Sequence, residues 1–281
     1  MNRDRLEVQP ITGTIGAEIH GVDIAADLSD ETVGLIRQAL VDHCVIFFRD
    51  QKLDVEQHKK FCRRFGEIFL HPNHMGLTRY PGVVDNVREP GDERIVGEDW
   101  HMDTTMVAEP PMGAVLYGVE IPPYGGDTLF ANQYLAYETL SDGLKRTLEG
   151  LRAVHSDRMV AGPKVGMNAK RTTKIREDAD WRETINTHPV VRTHPESGRK
   201  QLYVNAAYTV GFEGWTEAES KPLLNFLLEH GHRPEYTCRF QWRTGSVAFW
   251  DNRSAKHLAV HDAGKFRRVM RRIQIAGDRP V

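Results

Sequence analysis

The chain has 281 residues, 40% of them apolar and 27% charged, with a formal net charge of −2. Basic residues are spread along the sequence, which excludes the charge footprint of a nucleic-acid binder and a polybasic membrane patch. The three cysteines, Cys44, Cys62 and Cys238, lie far apart. They leave no disulfide framework and no cysteine-rich metal site, so any bound metal must be held by histidine and carboxylate.

The opening stretch, MNRDRLEVQPITG, has no apolar signal core, and a cytoplasmic protein is expected. SDETVGLIRQALVDH predicts a helix with Ser29 as N-cap and Val33, Ile36 and Leu40 on one face. CVIFF, at 44–48, reads as a buried strand and is far too short to span a membrane. DVEQHKKFCRRFG repeats the helical pattern and has Gly66 as its stop. Beyond about residue 70 the pattern changes to short extended runs: GAVLYGVEI, KQLYV, YTCRFQW, GSVAFWDN and RRVMRRIQIAG. Each is rich in β-branched or aromatic residues and bounded by turn residues. A late helix is expected in TEAESKPLLNFLLEHG. Early helices followed by many strands predict one domain over 1–281, mainly β, with a double-sheet core and flanking helices. Two polar, glycine- and proline-rich stretches, 73–98 and 156–183, are expected to be lid loops over a site.

The chemistry concentrates in EDWHMDTTM, where His101 and Asp103 stand two apart. On a strand they would project to the same side. Two histidines and one carboxylate on one face of an iron leave the opposite positions open, and a catalytic zinc site uses a similar set. A third ligand is available in His257, which follows a buried strand and a polar turn. His261 offers a rival i, i+4 pairing only if that segment is helical. Arg268 and Arg272 fall on one face of the next strand, with Arg267 and Arg271 facing solvent. Arginine suits bidentate capture of a carboxylate. Metal and arginine together suggest a carboxylate-bearing cosubstrate. The remaining histidines are expected at the surface or in caps, while Phe249, Trp250 and Tyr208 are expected to pack the core or the wall of the site.

WHMDTT, PPYGGDTLFANQYLAYETLS, FWDNRSAKHLAV and RRVMRRIQIAGDRP resemble the taurine dioxygenase/TfdA family of Fe(II)- and 2-oxoglutarate-dependent dioxygenases. The resemblance extends to the opening ITGTIGAEIHGVDIAADLSDE, and it implies a double-stranded β-helix (jelly-roll) core. It implies His101, Asp103 and His257 as iron ligands, with Arg268 and Thr128 holding the far carboxylate of 2-oxoglutarate. It further implies Arg272, His71 and His74 as contacts to an anionic substrate, and a dimer or tetramer. The expected reaction consumes O2 and 2-oxoglutarate, releases succinate and CO2, and oxidises a substrate C–H bond, with no separate acid or base. Hydroxylation is favoured over halogenation, because related halogenases lack the carboxylate that Asp103 supplies. Taurine-using members carry an asparagine and a tyrosine where Gly97 and His74 stand here, which argues against taurine. Desaturation or rearrangement of a natural-product intermediate, a metal-dependent hydrolase and a noncatalytic acid-binding jelly roll are the alternatives.

Overall fold

The computed structural model describes residues 6–74, 79–162, 165–177 and 179–281. β1 (Glu7–Pro10) and β2 (Ala17–His20) pair antiparallel and lead into α1 (Asp30–His43). Ser29 caps that helix by accepting from the Thr32 backbone N–H, and Val33, Ile36 and Leu40 are buried as their spacing predicts. Cys44 is not part of the strand. It ends the helix in the left-handed region at φ 63°, so β3 is Val45–Phe48. A reciprocal capping box between Asp54 and Gln57 starts α2 (Val55–Arg63), which ends before Gly66 is reached.

Next come β4 (Val83–Arg88), β5 (Gly113–Glu120), β6 (Thr128–Asn132), α3 (Gln133–Glu138) and α4 (Asp142–Leu148). β7 (Arg152–Ser156), β8 (Ile185–Pro189), β9 (Val191–Thr193), β10 (Lys200–Leu202) and β11 (Thr209–Phe212) precede α5 (Glu217–His230). The chain closes with β12 (Thr237–Phe240), β13 (Val247–Asp251), β14 (Ala255–Ala259) and β15 (Arg268–Ile275).

The main sheet runs β1-β2-β3-β13-β5-β15-β4, and a smaller sheet runs β12-β6-β14. Period-two alternation divides the apolar residues of the main sheet between two cores. Ile46, Phe48, Val115, Phe249, Ile273 and Ile275 pack with α1 and α2. Val45, Phe47, Leu116, Ala248, Trp250 and Met270 pack with Phe130 and Phe240 of the smaller sheet. Phe47 and Phe240 stack across that gap with ring centroids 4.0 Å apart. This is a mainly β protein with a jelly-roll core. Among the described residues no helix is long and apolar enough to cross a membrane.

The two stretches expected as lids are less open than their composition suggests. Within 73–98, β4 is an edge strand paired with β15 from Arg88↔Arg268 to Val83↔Ile273. Its VVDNVR sequence lacks a clean apolar alternation, which hides it from pattern reading. The two stretches are also bonded to each other. Glu93 and Arg94 donate their backbone N–H groups to Lys170 O, and Val87 N–H donates to Thr173 Oγ1 at 2.7 Å. Residues 75–78, 163–164 and 178 of these stretches lie outside the described residues.

Candidate metal centre and its two cavities

Two backbone hydrogen bonds bring the histidines together: His101 N–H donates to His257 O at 3.0 Å, and His257 N–H to His101 O at 2.8 Å. His257 sits on β14 opposite Phe130 of β6. His101 makes only an isolated bridge, so the expected strand geometry does not aim Asp103. A turn does so instead, with Thr104 at φ 56°. Asn252 fixes that turn from the β13–β14 loop: its Oδ1 accepts the Asp103 N–H at 2.6 Å, and its Nδ2 donates to Asp103 O at 2.9 Å and to Pro111 O at 3.0 Å. Sequence reading did not single out Asn252, because its partners lie 149 and 141 residues away.

Asp103 Oδ1 lies 3.5 Å from His101 Nε2 and 3.9 Å from His257 Nε2. One ligand atom from each residue falls within 4.8 Å of the others, the one such cluster among the described residues. The donor chemistry fits a divalent metal. His101 Nδ1 donates to Asp99 O at 2.7 Å, leaving Nε2 as the free donor atom, while Asp103 Oδ2 and His257 Nδ1 are buried without partners. Burial pushes the His257 pKa well below its ordinary value. Burial alone would raise the Asp103 pKa, but Arg272 and the two histidines outweigh it and hold the carboxyl well below its usual range. A neutral imidazole and an ionised carboxylate are the forms that ligate.

Two cavities meet at this cluster. The first is lined by His101, His257, Thr128, Arg268, Trp250 and Arg272, with Leu116, Met270 and Val260 supplying apolar wall. Thr128 begins β6, and its hydroxyl oxygen accepts from Trp242 Nε1 at 2.9 Å, leaving its own proton to donate. Arg268 projects from β15 with its guanidinium 5.9 Å from the Trp242 ring centre. Its Nε and one Nη are buried without partners, and burial pulls its pKa down to about 10 despite Asp127 and Asp262. An unpaired guanidinium in such a place is costly unless an anion joins it. Gly126 makes room for it: a Cβ there would stand 3.0 Å from Arg268 Cδ.

The second cavity is lined by His71, His74, Arg272, Asp103, Tyr208 and Arg171, together with Val160, Met167, Ile175 and Ala207. Arg272 borders both cavities. Its Nη1 donates to Asp103 Oδ1 at 3.0 Å, and its Nη2 is buried and unpartnered. The His71 and His74 rings meet edge to face at 4.4 Å. His71 Nδ1 accepts the backbone N–H groups of Asn73 and His74, so its proton sits on Nε2. Burial and the nearby Arg272 push its pKa down to about 3, and His74 is lowered likewise by burial and by His71. Both imidazoles are therefore neutral. Gly97 lies between the two cavities, and a Cβ there would stand 3.0 Å from His101 Cε1.

The structure thus brings every expected site residue to one metal cluster or its adjoining cavities. Arg267 faces outward in an ion pair with Glu89, as expected, whereas Arg271 is half-buried in its pair with Asp85. His261 is exposed beside Glu98 and outside the cluster, and His257 lies on a strand, so the helical pairing is absent. Several histidines expected at the surface are instead buried: His58, His155, His188, His194 and His230. Each of the last four bonds a polar partner, such as Asp251 Oδ2 for His194 at 3.0 Å and Thr105 Oγ1 for His155 at 2.8 Å. Arg171, one basic residue in a polar stretch, carried no sequence signal.

A family model described as "Taurine catabolism dioxygenase TauD, TfdA family" matches residues 7–274. An alkylsulfatase of Acinetobacter baylyi is 37% identical over 276 residues, covering 98% of this chain and 86% of the relative. An alpha-ketoglutarate-dependent sulfate ester dioxygenase of Pseudomonas putida is 38% identical over 280 residues, covering 98% and 91%. The crystal structure of a taurine dioxygenase from Burkholderia xenovorans superposes with a TM-score of 0.83 at 40% identity, covering 98% of this chain and 91% of that one.

Proposed function

This chain belongs to the TauD/TfdA family of dioxygenases, and from that premise we propose that it oxidises the sulfate-bearing carbon of a sulfate ester. The enzyme is an Fe(II)- and 2-oxoglutarate-dependent oxidoreductase that uses O2. Arg268 is the observation that carries the cosubstrate half of the reading, and Arg272 with its free Nη2 beside the apolar second cavity carries the sulfate half. Arg268 Nε and Nη2 are buried and without partners among the described residues, in a cavity that opens onto the His101, Asp103 and His257 cluster. A hydrolytic metal site does not need that guanidinium, and a bare acid-binding protein does not need the cluster.

When bound, Fe(II) supplies the oxygen activation that couples decarboxylation of 2-oxoglutarate to substrate oxidation. His101, Asp103 and His257 would hold the metal. Arg268 would pair with the far carboxylate of 2-oxoglutarate, and the Thr128 hydroxyl would donate to it. Leu116, Met270 and Trp250 give that cavity an apolar wall, which would strengthen a charge pair within it. In the second cavity Arg272 Nη2 and the N–H of His71 would donate to the sulfate oxygens, setting the carbon next to the ester oxygen against the metal. Hydroxylation there gives R–CH(OH)–OSO3−. Its C–O bond to sulfate breaks as the hydroxyl proton leaves, yielding an aldehyde, sulfate and a proton, with no protein acid or base required.

The apolar lining from Val160, Met167, Ile175 and Ala207 suits the body of such an ester. The Pseudomonas relative carries sulfate ester in its name. Gly97 argues against taurine, because the asparagine of taurine users would press on His101 from that position. We read 1–281 as one domain, with 73–98 and 156–183 covering the substrate cavity jointly through their mutual hydrogen bonds.

The test is incubation with hexyl sulfate, Fe(II), 2-oxoglutarate and O2. Equal amounts of succinate, hexanal and sulfate are expected. Sulfate release without O2 and 2-oxoglutarate would contradict the reading, since it would mark hydrolysis by metal-bound water.

A further inference from the structure

The substrate cavity holds a guanidinium that the reading above leaves unused. Arg171 is 8% exposed and lines the same cavity as His71, His74 and Arg272. Its Nε is buried without a partner, and no acceptor among the described residues bonds its guanidinium. The acids near it are engaged elsewhere. Glu177 Oε1 accepts the Asn168 N–H at 2.9 Å, and Asp92 accepts the Thr172 hydroxyl and the Glu89 N–H at 3.0 Å each. Burial pulls the guanidinium pKa below its ordinary value, with Tyr208 and Glu177 acting the other way.

The backbone that carries Arg171 is fixed on both sides. Lys170 O accepts from Glu93 and Arg94, while the Asn168 side chain bonds Ile175 O and Ile175 N at 2.9 Å each. Arg171 is also distinct from Arg272 in its surroundings. Arg272 is bonded to the Asp103 carboxylate, whereas Arg171 lies among Tyr208, Glu177, Arg94 and Asp92, and His74 feels both arginines. A buried cation without a counter-ion is costly, and a guanidinium matches the two oxygens of a carboxylate.

We propose that Arg171 is a second substrate anchor, and that the preferred sulfate ester carries a carboxylate at the end remote from the oxidised carbon. This rests on the sulfate-ester reading: Arg272 and His71 take the sulfate beside the metal, the apolar lining takes the chain, and Arg171 takes the far carboxylate. The fixed backbone makes the two anchors a ruler for chain length. Simple alkyl sulfates fill the same cavity but leave Arg171 without its counter-ion.

The experiment compares a homologous series of unbranched ω-sulfooxy carboxylates with alkyl sulfates of equal chain length. KM is measured aerobically, and Kd anaerobically on the enzyme loaded with Fe(II) and 2-oxoglutarate. At the best chain length the carboxylate-bearing member is expected to have KM and Kd lower by about tenfold, the size of one charge-assisted contact. Arg171→Met should bring that ratio to about one. Arg171→Lys should keep part of it, which collapse of the segment would not do. A wild-type ratio near one at every chain length, or an unchanged ratio in Arg171→Met, overturns the second anchor. If both series bind but neither is oxidised, the sulfate-ester reading fails, and the Kd ratio alone decides on Arg171. If neither series binds, both fall.

Discussion

The two cavities that share the metal cluster are built in different ways. The cosubstrate side takes Thr128 from β6, His257 from β14 and Arg268 from β15, all on paired strands of the jelly roll. The second cavity, proposed for the substrate, takes His71, His74, Arg171 and Tyr208 from connecting segments held by side-chain and backbone bonds. Arg272, on β15, belongs to both, as do His101 and Gly97. Most of the first cavity's polar residues thus sit on the strand lattice, while most of the second cavity's sit on loops, which can change without disturbing that lattice.

The cluster itself gives the largest expected effect. His101→Ala should abolish Fe(II) binding in equilibrium dialysis and, with it, all turnover, because two ligands do not hold the metal in the open arrangement. Arg268→Ala should retain the metal but raise the Kd of 2-oxoglutarate ~10–100-fold, the loss of a buried charge-assisted pair. His71→Ala tests the other side. It should raise the KM for hexyl sulfate by about tenfold and leave the 2-oxoglutarate Kd within about twofold. If each change weakened both ligands equally, the division between the cavities would be lost.

The smallest effect lies outside both cavities. His58 is fully buried, and burial, followed by Arg271, lowers its pKa to about 3. The unfolded chain binds this proton below about 6.5, so His58 costs stability as pH falls from about 6.5 toward 3, at up to ~1.4 kcal/mol per pH unit. His58→Leu should flatten that acid limb in urea denaturation followed against pH, without altering metal or cosubstrate affinity. An unchanged slope would show that His58 is not the group that titrates.

The same division explains what could be read in the sequence. Thr128, His257 and Arg268 stand on paired strands, and His101 and Asp103 on a short turn bonded to the β13–β14 loop and to β14. The order and spacing of all five follow the lattice, so a resemblance carries them over residue by residue. α1 and α2 were legible from their caps and apolar spacing. β4 was not, since an edge strand of polar composition gives no period to read. Four of the five buried histidines, His58 apart, were misplaced for another reason: an imidazole enters a core when a distant partner such as Asp251 or Thr105 meets it, and sequence does not show that partner. Asn252 and Arg171 escaped notice on the same ground. Asn252 acts through contacts far away in the chain, and Arg171 stands out by a buried Nε that has no partner among the described residues.

The central claim is that one cluster holds Fe(II) and that Arg268 seats 2-oxoglutarate beside it. Its most direct test is anaerobic titration of the Fe(II)-loaded protein with 2-oxoglutarate, followed by the weak visible metal-to-ligand charge-transfer band. The account predicts a saturable band in the wild type, none in His257→Ala, and a band in Arg268→Ala that needs ~10–100-fold more 2-oxoglutarate. No band with metal and cosubstrate both bound, or an undiminished affinity in Arg268→Ala, would contradict it.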